Sequence, residues 1–272
     1  GSLDVSSPHV VNLVGGELSA GSFSGALTNA PTLVDGAIYS ISFGGIDLAG
    51  NSAVSITSTS VTYDGTAPVF SSVSPTNSAL VNNTNVGYTL SEAIASGTLT
   101  FTRTGGSADG SSPHIVNLTG AELNSGSFSG ALTNAPALVD GAIYSVSFDG
   151  NDIVGNVAST VTSTSVTYDV TAPIFSSVSP VTSAMVTNTN VGYTLTEPLS
   201  SGTVTFTSTG GSVDVSSPHV VNLVGGELSA GNFNGALSNA PTLVDGAIYS
   251  VSFGGIDLAG NSAASISSTS VT

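Results

Sequence analysis

The chain has no cysteine, no lysine and no tryptophan, and it sets a single arginine, Arg103, against seventeen acidic residues. Each absence excludes something. Without cysteine there are no disulfide staples, and without lysine there is neither Schiff-base chemistry nor a lysine-derived cross-link. With one strong cation, nothing could neutralise a run of phosphates, so nucleic acid and anionic membrane are excluded as partners on charge alone. No apolar run approaches the ~18 residues of a membrane span, and no charged stretch leads into an apolar one at the start, so neither membrane insertion nor a signal peptide is visible in this segment. A formal charge of −16 calls instead for cations, and carboxylate oxygens suit hard ones such as Ca²⁺.

What is present is Ser, Thr, Gly, Ala and Val arranged in a long repeat. "GSLDVSSPHVVNL" (1–13) returns as "GSADGSSPHIVNL" (106–118) and "GSVDVSSPHVVNL" (211–223), a spacing of 105 residues. "TYDGTAPVF" (62–70) returns as "TYDVTAPIF" (167–175). Residues 1–62 match 211–272 at 55 of 62 positions but match 106–167 at only 45 of 62, a pattern left by duplication of a two-unit block. A repeat of this length is a whole domain rather than a solenoid turn. With T-A-P marking each start, residues 67–171 are one complete repeat and 172–272 a near-complete one. Residues 1–66 are then the C-terminal part of a preceding repeat, lacking about 39 residues. Its missing strands belong either to another chain or to a longer array; the far end carries no spare strands to fill the gap, which favours the array.

One unit reads as all-β. "PVFSSVSP" (68–75) reads as a strand closed by proline, and "NVGYTLSE" (85–92), "GTLTFTRT" (97–104) and "AIYSVSF" (142–148) place apolar side chains on alternate positions, the period of a half-buried strand. "HIVNLTGAEL" and "GSFSGALT" are shorter candidates. "ASTVTSTSVTY" (158–168) needs a bulge, because Val161 and Val166 differ in parity. No segment carries a 3.6-residue apolar period. Seven or so short strands in about 100 residues, separated by turn residues, fit an immunoglobulin-like or fibronectin III-like antiparallel β-sandwich. Tyr144, just after the turn in "LVDGAIY", fits either a tyrosine corner or a plain core position.

The stretch "IDLAGNSAVSITSTSVTYDGTAP" (46–68) resembles the D-x-A-G-N … T-Y-D-x-T-A-P ending of bacterial Ig-like domains, which are strung in tandem in very large surface proteins such as biofilm-associated adhesins and the extender regions of giant RTX adhesins. The middle unit departs from it with "NDIVGN" but keeps Asp152, Gly155 and Asn156. The resemblance implies a non-enzymatic extender at the cell surface or outside the cell, partnered by its neighbouring repeats and stiffened by interdomain calcium.

The sandwich map adds its own argument. Strand G ends at the pole opposite the B–C and F–G loops, so in a head-to-tail array the linker after G meets those loops of the next unit. That places Asp64 of the linker with Glu92 after strand B and Asp152 in the F–G turn; Asp169, Glu197 and Asp257 repeat the set. Unpaired carboxylates repel each other, and a Ca²⁺ ion would turn repulsion into attraction, its other ligands being carbonyls, Asn side chains and water. The same aspartates serve equally as solvated turn residues. Asp109 and Asp140, in the expected C–D and E–F turns, lie at the same pole and could add ligands. Glu122, like Glu17 and Glu227, reads as a surface-turn residue.

Other motifs carry less. "D-x-S-S-P-H" holds Asp, Ser and His within six positions, too close in sequence for the convergence that defines a triad. "GSFSG" becomes "GNFNG" (231–235) in the third unit, without serine and without the strand-to-helix turn of a nucleophile elbow. The Ser/Thr alternation of "SITSTSVT" (55–62) fits a solvated strand face or a hydroxyl surface for a glycan. Three functions stay open at this point: a calcium-stiffened stalk, a filament or sheath subunit built by lateral or strand-complementing contacts between identical chains, and a glycan- or protein-binding module. An enzyme is not expected.

Overall fold

The computed structural model describes residues 1–272. Residues 1–66 contain only two strands, β1 (Ile38–Phe43) and β2 (Ile56–Thr62), paired antiparallel. The next stretch contains β3 (Phe70–Ser74), β4 (Leu80–Val81), β5 (Val86–Leu90), β6 (Ser96–Gly106), β7 (His114–Asn117), β8 (Gly126–Gly130), β9 (Ala142–Asn151) and β10 (Val161–Tyr168). These form two sheets, β3-β5-β8 and β4-β10-β9-β6-β7. The last stretch repeats the plan with β11 (Phe175–Ser179), β12 (Val191–Leu195), β13 (Leu199–Gly211), β14 (His219–Asn222), β15 (Gly231–Gly235), β16 (Ala247–Asp257) and β17 (Ile266–Val271), in sheets β11-β12-β15 and β14-β13-β16-β17. The architecture is a tandem of antiparallel β-sandwiches of the fibronectin III-like kind.

The period-2 pattern decides which side chains face inward. On β9, Ala142, Tyr144, Val146 and Phe148 are buried while the residues between them are partly exposed. On β6, Leu99 lies opposite Phe148 and Phe101 opposite Val146, so the two strands bury the same face. Phe70, Tyr88 and Leu90 of the other sheet close over them, and Phe70 meets Tyr88 edge-on with centroids 5.4 Å apart. The third stretch builds an equivalent, separate core around Phe175, Tyr193, Val251 and Phe253. The bulge demanded by the parity of Val161 and Val166 lies between Ser163 and Val166, where Ser165 adopts φ 58°.

Three readings change. The segment 114–117 pairs with β6 in the five-stranded sheet, so Asp109 sits in a C–C′ hairpin and not in a C–D turn. Leu80–Val81 adds a short parallel pairing to β10 that the pattern did not reveal. Glu122 and Glu227 are not surface residues; each is 3% exposed. Glu122 accepts hydrogen bonds from the Thr119 and Thr133 amides at 2.6 Å each, tying the 3₁₀ turn Gly120–Leu123 to the chain beyond β8. Burial works to raise its pKa, but those donors win and hold it below the usual value.

Candidate metal centre at the unit junctions

Each junction is built from three loops. The linker after β2 runs into β3, and beside it stand the β5–β6 loop and the β9–β10 turn of the following sandwich. The turn is folded by its own aspartate. Asp152 Oδ1 accepts the amides of Val154, Gly155 and Asn156 at 2.7–2.9 Å, and Oδ2 accepts the Asn156 side-chain amide at 2.8 Å. Gly155, at φ 98°, supplies the conformation that this tight turn needs. Asp257 repeats the arrangement with Ala259, Gly260 and Asn261.

The structure brings both expected sets together. Carboxylate oxygens of Asp64, Glu92 and Asp152 all lie within 4.8 Å of one another, as do those of Asp169, Glu197 and Asp257. Asp152 and Asp257 are buried at 2% exposure, and the other four are partly buried. The electrostatics record the crowding. Glu92 is pushed above its ordinary pKa by desolvation and then by Asp64, Asp152 and Asp35; Glu197 is pushed up by desolvation and then by Asp169, Asp257 and Asp140. Asp169 is raised by desolvation, with Asp257 and Asp140 adding to the effect. Asp152 goes the other way: burial would raise it, but the donors of its own turn outweigh burial.

Asp109 and Asp140 do not join these sets. Asp109 Oδ2 accepts His114 Nε2 at 2.6 Å and the Tyr144 hydroxyl at 2.7 Å. The Tyr144 hydroxyl in turn accepts the Val139 amide, so Tyr144 is both a buried core residue and a tyrosine corner. Ser112 of the same motif faces elsewhere, accepting the Arg103 amide at 2.7 Å. Asp140 spends its oxygens on the linker, accepting the Val170 amide at 2.8 Å and the Thr171 hydroxyl at 2.7 Å. Asn side chains stand among the general classes of further ligand, but Asn156 and Asn261 are otherwise engaged. Each turns its amide nitrogen toward two linker carbonyls: Asp64 and Thr66 for Asn156, Asp169 and Thr171 for Asn261. The one sequence signal for that role is the retention of Asn156, along with Asp152 and Gly155, where the middle unit departs from "IDLAGN" at the other three positions.

Arg103 gives the clusters no counter-charge, since its guanidinium donates to the Ser107 and Gly106 carbonyls at 2.6 Å. No helix is long and apolar enough to cross a membrane. Neither a protein-family model nor a curated protein matches this chain. Among solved structures, the FN1–FN3 domains of chicken CNTN1 are similar, with a TM-score of 0.44 at 10% identity over 88% of this chain and 78% of that one. The fold assignment rests on the strand pairing of this chain.

Proposed function

We propose that the chain is part of an extracellular stalk, head-to-tail sandwiches that hold a distal binding element away from a cell surface, with a calcium ion at each junction. The observation that carries the reading is the paired sets of three carboxylates, each with its oxygens within 4.8 Å of one another and no cationic side chain in the set. The donor set fits: all ligands are oxygens, and 4.8 Å is about the separation of two oxygens on opposite sides of one Ca²⁺ at ~2.4 Å each. Asp64, Glu92 and Asp152 would hold one ion, and Asp169, Glu197 and Asp257 the other. Bound there, the ion supplies positive charge that offsets the repulsion and ties the linker to two loops of the next sandwich. Extracellular sites of this kind bind at ~0.1–1 mM, so a few-fold excess over Kd stabilises each junction by ~1 kcal/mol. The sum over many junctions gives a stalk whose reach grows with copy number.

Small-angle scattering on residues 67–272 tests this. With millimolar calcium the maximum dimension should be that of two collinear sandwiches, and chelator should broaden the ensemble. Calorimetry showing no calcium uptake by the same fragment would sink the reading. The alternative is a filament subunit built by contacts between identical chains. Sedimentation velocity decides, since a filament subunit polymerises and a stalk segment stays monomeric.

A further inference from the structure

The linker residues D-x-T are gripped from both sides by groups that need no ion. From the preceding sandwich, Asp140 accepts the Val170 amide and the Thr171 hydroxyl. From the following sandwich, Asn261 donates to the Asp169 carbonyl at 2.9 Å and the Thr171 carbonyl at 3.3 Å. The first junction has the same grip: Asp35 accepts the Gly65 amide and the Thr66 hydroxyl at 2.6 Å each, and Asn156 donates to the Asp64 and Thr66 carbonyls at 3.2 Å each. The linker's two remaining amides are also used: that of Asp169 donates to the Val81 carbonyl at 2.9 Å and that of Thr171 to Asp169 Oδ1 at 3.1 Å.

The position between Asp and Thr contributes only its amide, which explains why Gly65 becomes Val170 while Asp and Thr return unchanged. The asparagine arm is also preformed. In the turn Asp47–Asn51, which has no linker beside it, the Asn51 amide already donates to Asp47 Oδ2 at 2.9 Å, as Asn261 does to Asp257. An arm fixed by its own turn loses little side-chain freedom when it takes hold of the linker.

We propose that Asp140 and Asn261, with Asp35 and Asn156 at the first junction, are positioning residues: they form a hydrogen-bonded clamp that sets the angle between sandwiches with or without an ion. The clamp also presents the Asp169 carboxylate to Glu197 and Asp257, and this second consequence rests on the cation reading above. The clamp fixes the value of the angle, and the ion opposes the repulsion that works against it.

The test exploits the lack of cysteine. Spin labels at Thr102→Cys and Thr207→Cys, both exposed strand positions, report the distance between the two complete sandwiches in the full chain. In chelator the unsubstituted linker should give a narrow distance distribution. Asp140→Ala and Asn261→Ala should at least double its width, while Asp140→Asn should keep it narrow, because an amide can still accept from Val170 and donate to the Thr171 hydroxyl. Calcium titration of the same proteins separates clamp from charge. Asp140→Ala should weaken binding at the second junction about tenfold, as loss of an outer-shell partner does, whereas Asp140→Asn, which removes the same charge, should stay near the parent. A parent distribution that is broad in chelator and narrows only with calcium overturns the clamp and leaves the cation site standing. A narrow parent distribution with no calcium uptake overturns the cation site and leaves the clamp standing. Equal widths for parent, Asp140→Ala and Asn261→Ala overturn the clamp outright.

Discussion

Residues 1–62 and 211–272 differ at only seven positions, yet they do not share a structure. His219–Asn222 is strand β14 and Gly231–Gly235 is strand β15, while the matching residues 9–12 and 21–25 form no strand. Phe253 is fully buried and Phe43 is 56% exposed; Leu223 is 4% exposed and Leu13 37%. The reason is the partner strands. β14 pairs with β13 and β15 with β12, and residues 1–66 have no counterpart of β11, β12 or β13 ahead of them. Local devices survive the loss. Glu17 still accepts the Val14 and Thr28 amides, Asp4 still holds His9 and Tyr39, and the Asp47 turn still closes. Turns and side-chain hydrogen bonds within residues 1–66 therefore form without those strands, across 11 positions for Glu17 and Thr28 and 35 for Asp4 and Tyr39, whereas strand character in this protein is conferred by pairing.

Supplying the partners should erase the difference. Fusing a copy of residues 172–210 ahead of Gly1 restores the full repeat, and we expect a third cooperative unfolding transition by calorimetry, worth ~5–15 kcal/mol as for an ordinary domain. Continued binding of a hydrophobic dye to the fused chain would show that the seven substitutions, and not the missing strands, open the face. The next effect is smaller and isolates one side chain. Phe253→Ala should cost ~3–5 kcal/mol in urea unfolding, whereas Phe43→Ala in the native chain should cost under ~1 kcal/mol. In the fused chain the two costs should converge.

The same contrast explains how much was legible in advance. The long strands were readable because alternation such as Leu99, Phe101 against Thr98, Thr100 is a local signal. Leu80–Val81 was not, since two residues carry no period and their partners Thr167 and Tyr168 on β10 lie 87 positions away. Glu122 read as exposed because its donor Thr133 lies eleven positions on, beyond any turn pattern. The carboxylate sets were reachable only through the topology: Asp64, Glu92 and Asp152 have no sequence spacing in common, but head-to-tail sandwiches bring their loops to one pole. The same reasoning placed Asp140 at that pole and left open whether it is a turn residue or an added ligand, because nothing in the local sequence shows that its oxygens accept the Val170 amide and the Thr171 hydroxyl.

If local networks are independent of the sandwich, acid titration should show it. Asp109 is held near a pKa of about 2 by His114 and Tyr144, and Asp214 and Asp4 are held at about 2 by their tyrosines and histidines, against an ordinary 3.8. A carboxyl depressed in the folded state contributes its stability fully above the unfolded value, and loses it as pH falls from about 4 toward 2. The carboxyl resonances of Asp4 and Asp214 should therefore titrate together although one sits in a two-stranded stretch and the other in a two-sheet sandwich. An Asp4 that titrates near 3.8 would mean the network needs the whole sandwich to form.

The smallest effect concerns two turns of identical sequence, 46–51 and 256–261. Asp47 and Asp257 fold their turns alike except at the glycine, where the Gly50 amide donates to the Asp47 backbone carbonyl and the Gly260 amide to the Asp257 carboxylate, and only Asp257 lies with a linker aspartate and a β12–β13 loop glutamate. Calcium should then shift the Gly260 amide resonance and leave Gly50 unmoved, with a gain of ~1 kcal/mol per occupied junction at a few times Kd. Glu197→Gln should weaken that response without unfolding the chain, because Glu197 is pushed above its ordinary pKa by desolvation and then by its acidic neighbours, so removing its charge relieves strain in the ion-free state while removing a ligand from the bound one. The two consequences have opposite signs, and the variant should accordingly be more stable than the parent in chelator and gain less from calcium. Equal shifts at Gly50 and Gly260 would assign cation binding to the turn alone and leave the junction no part in it.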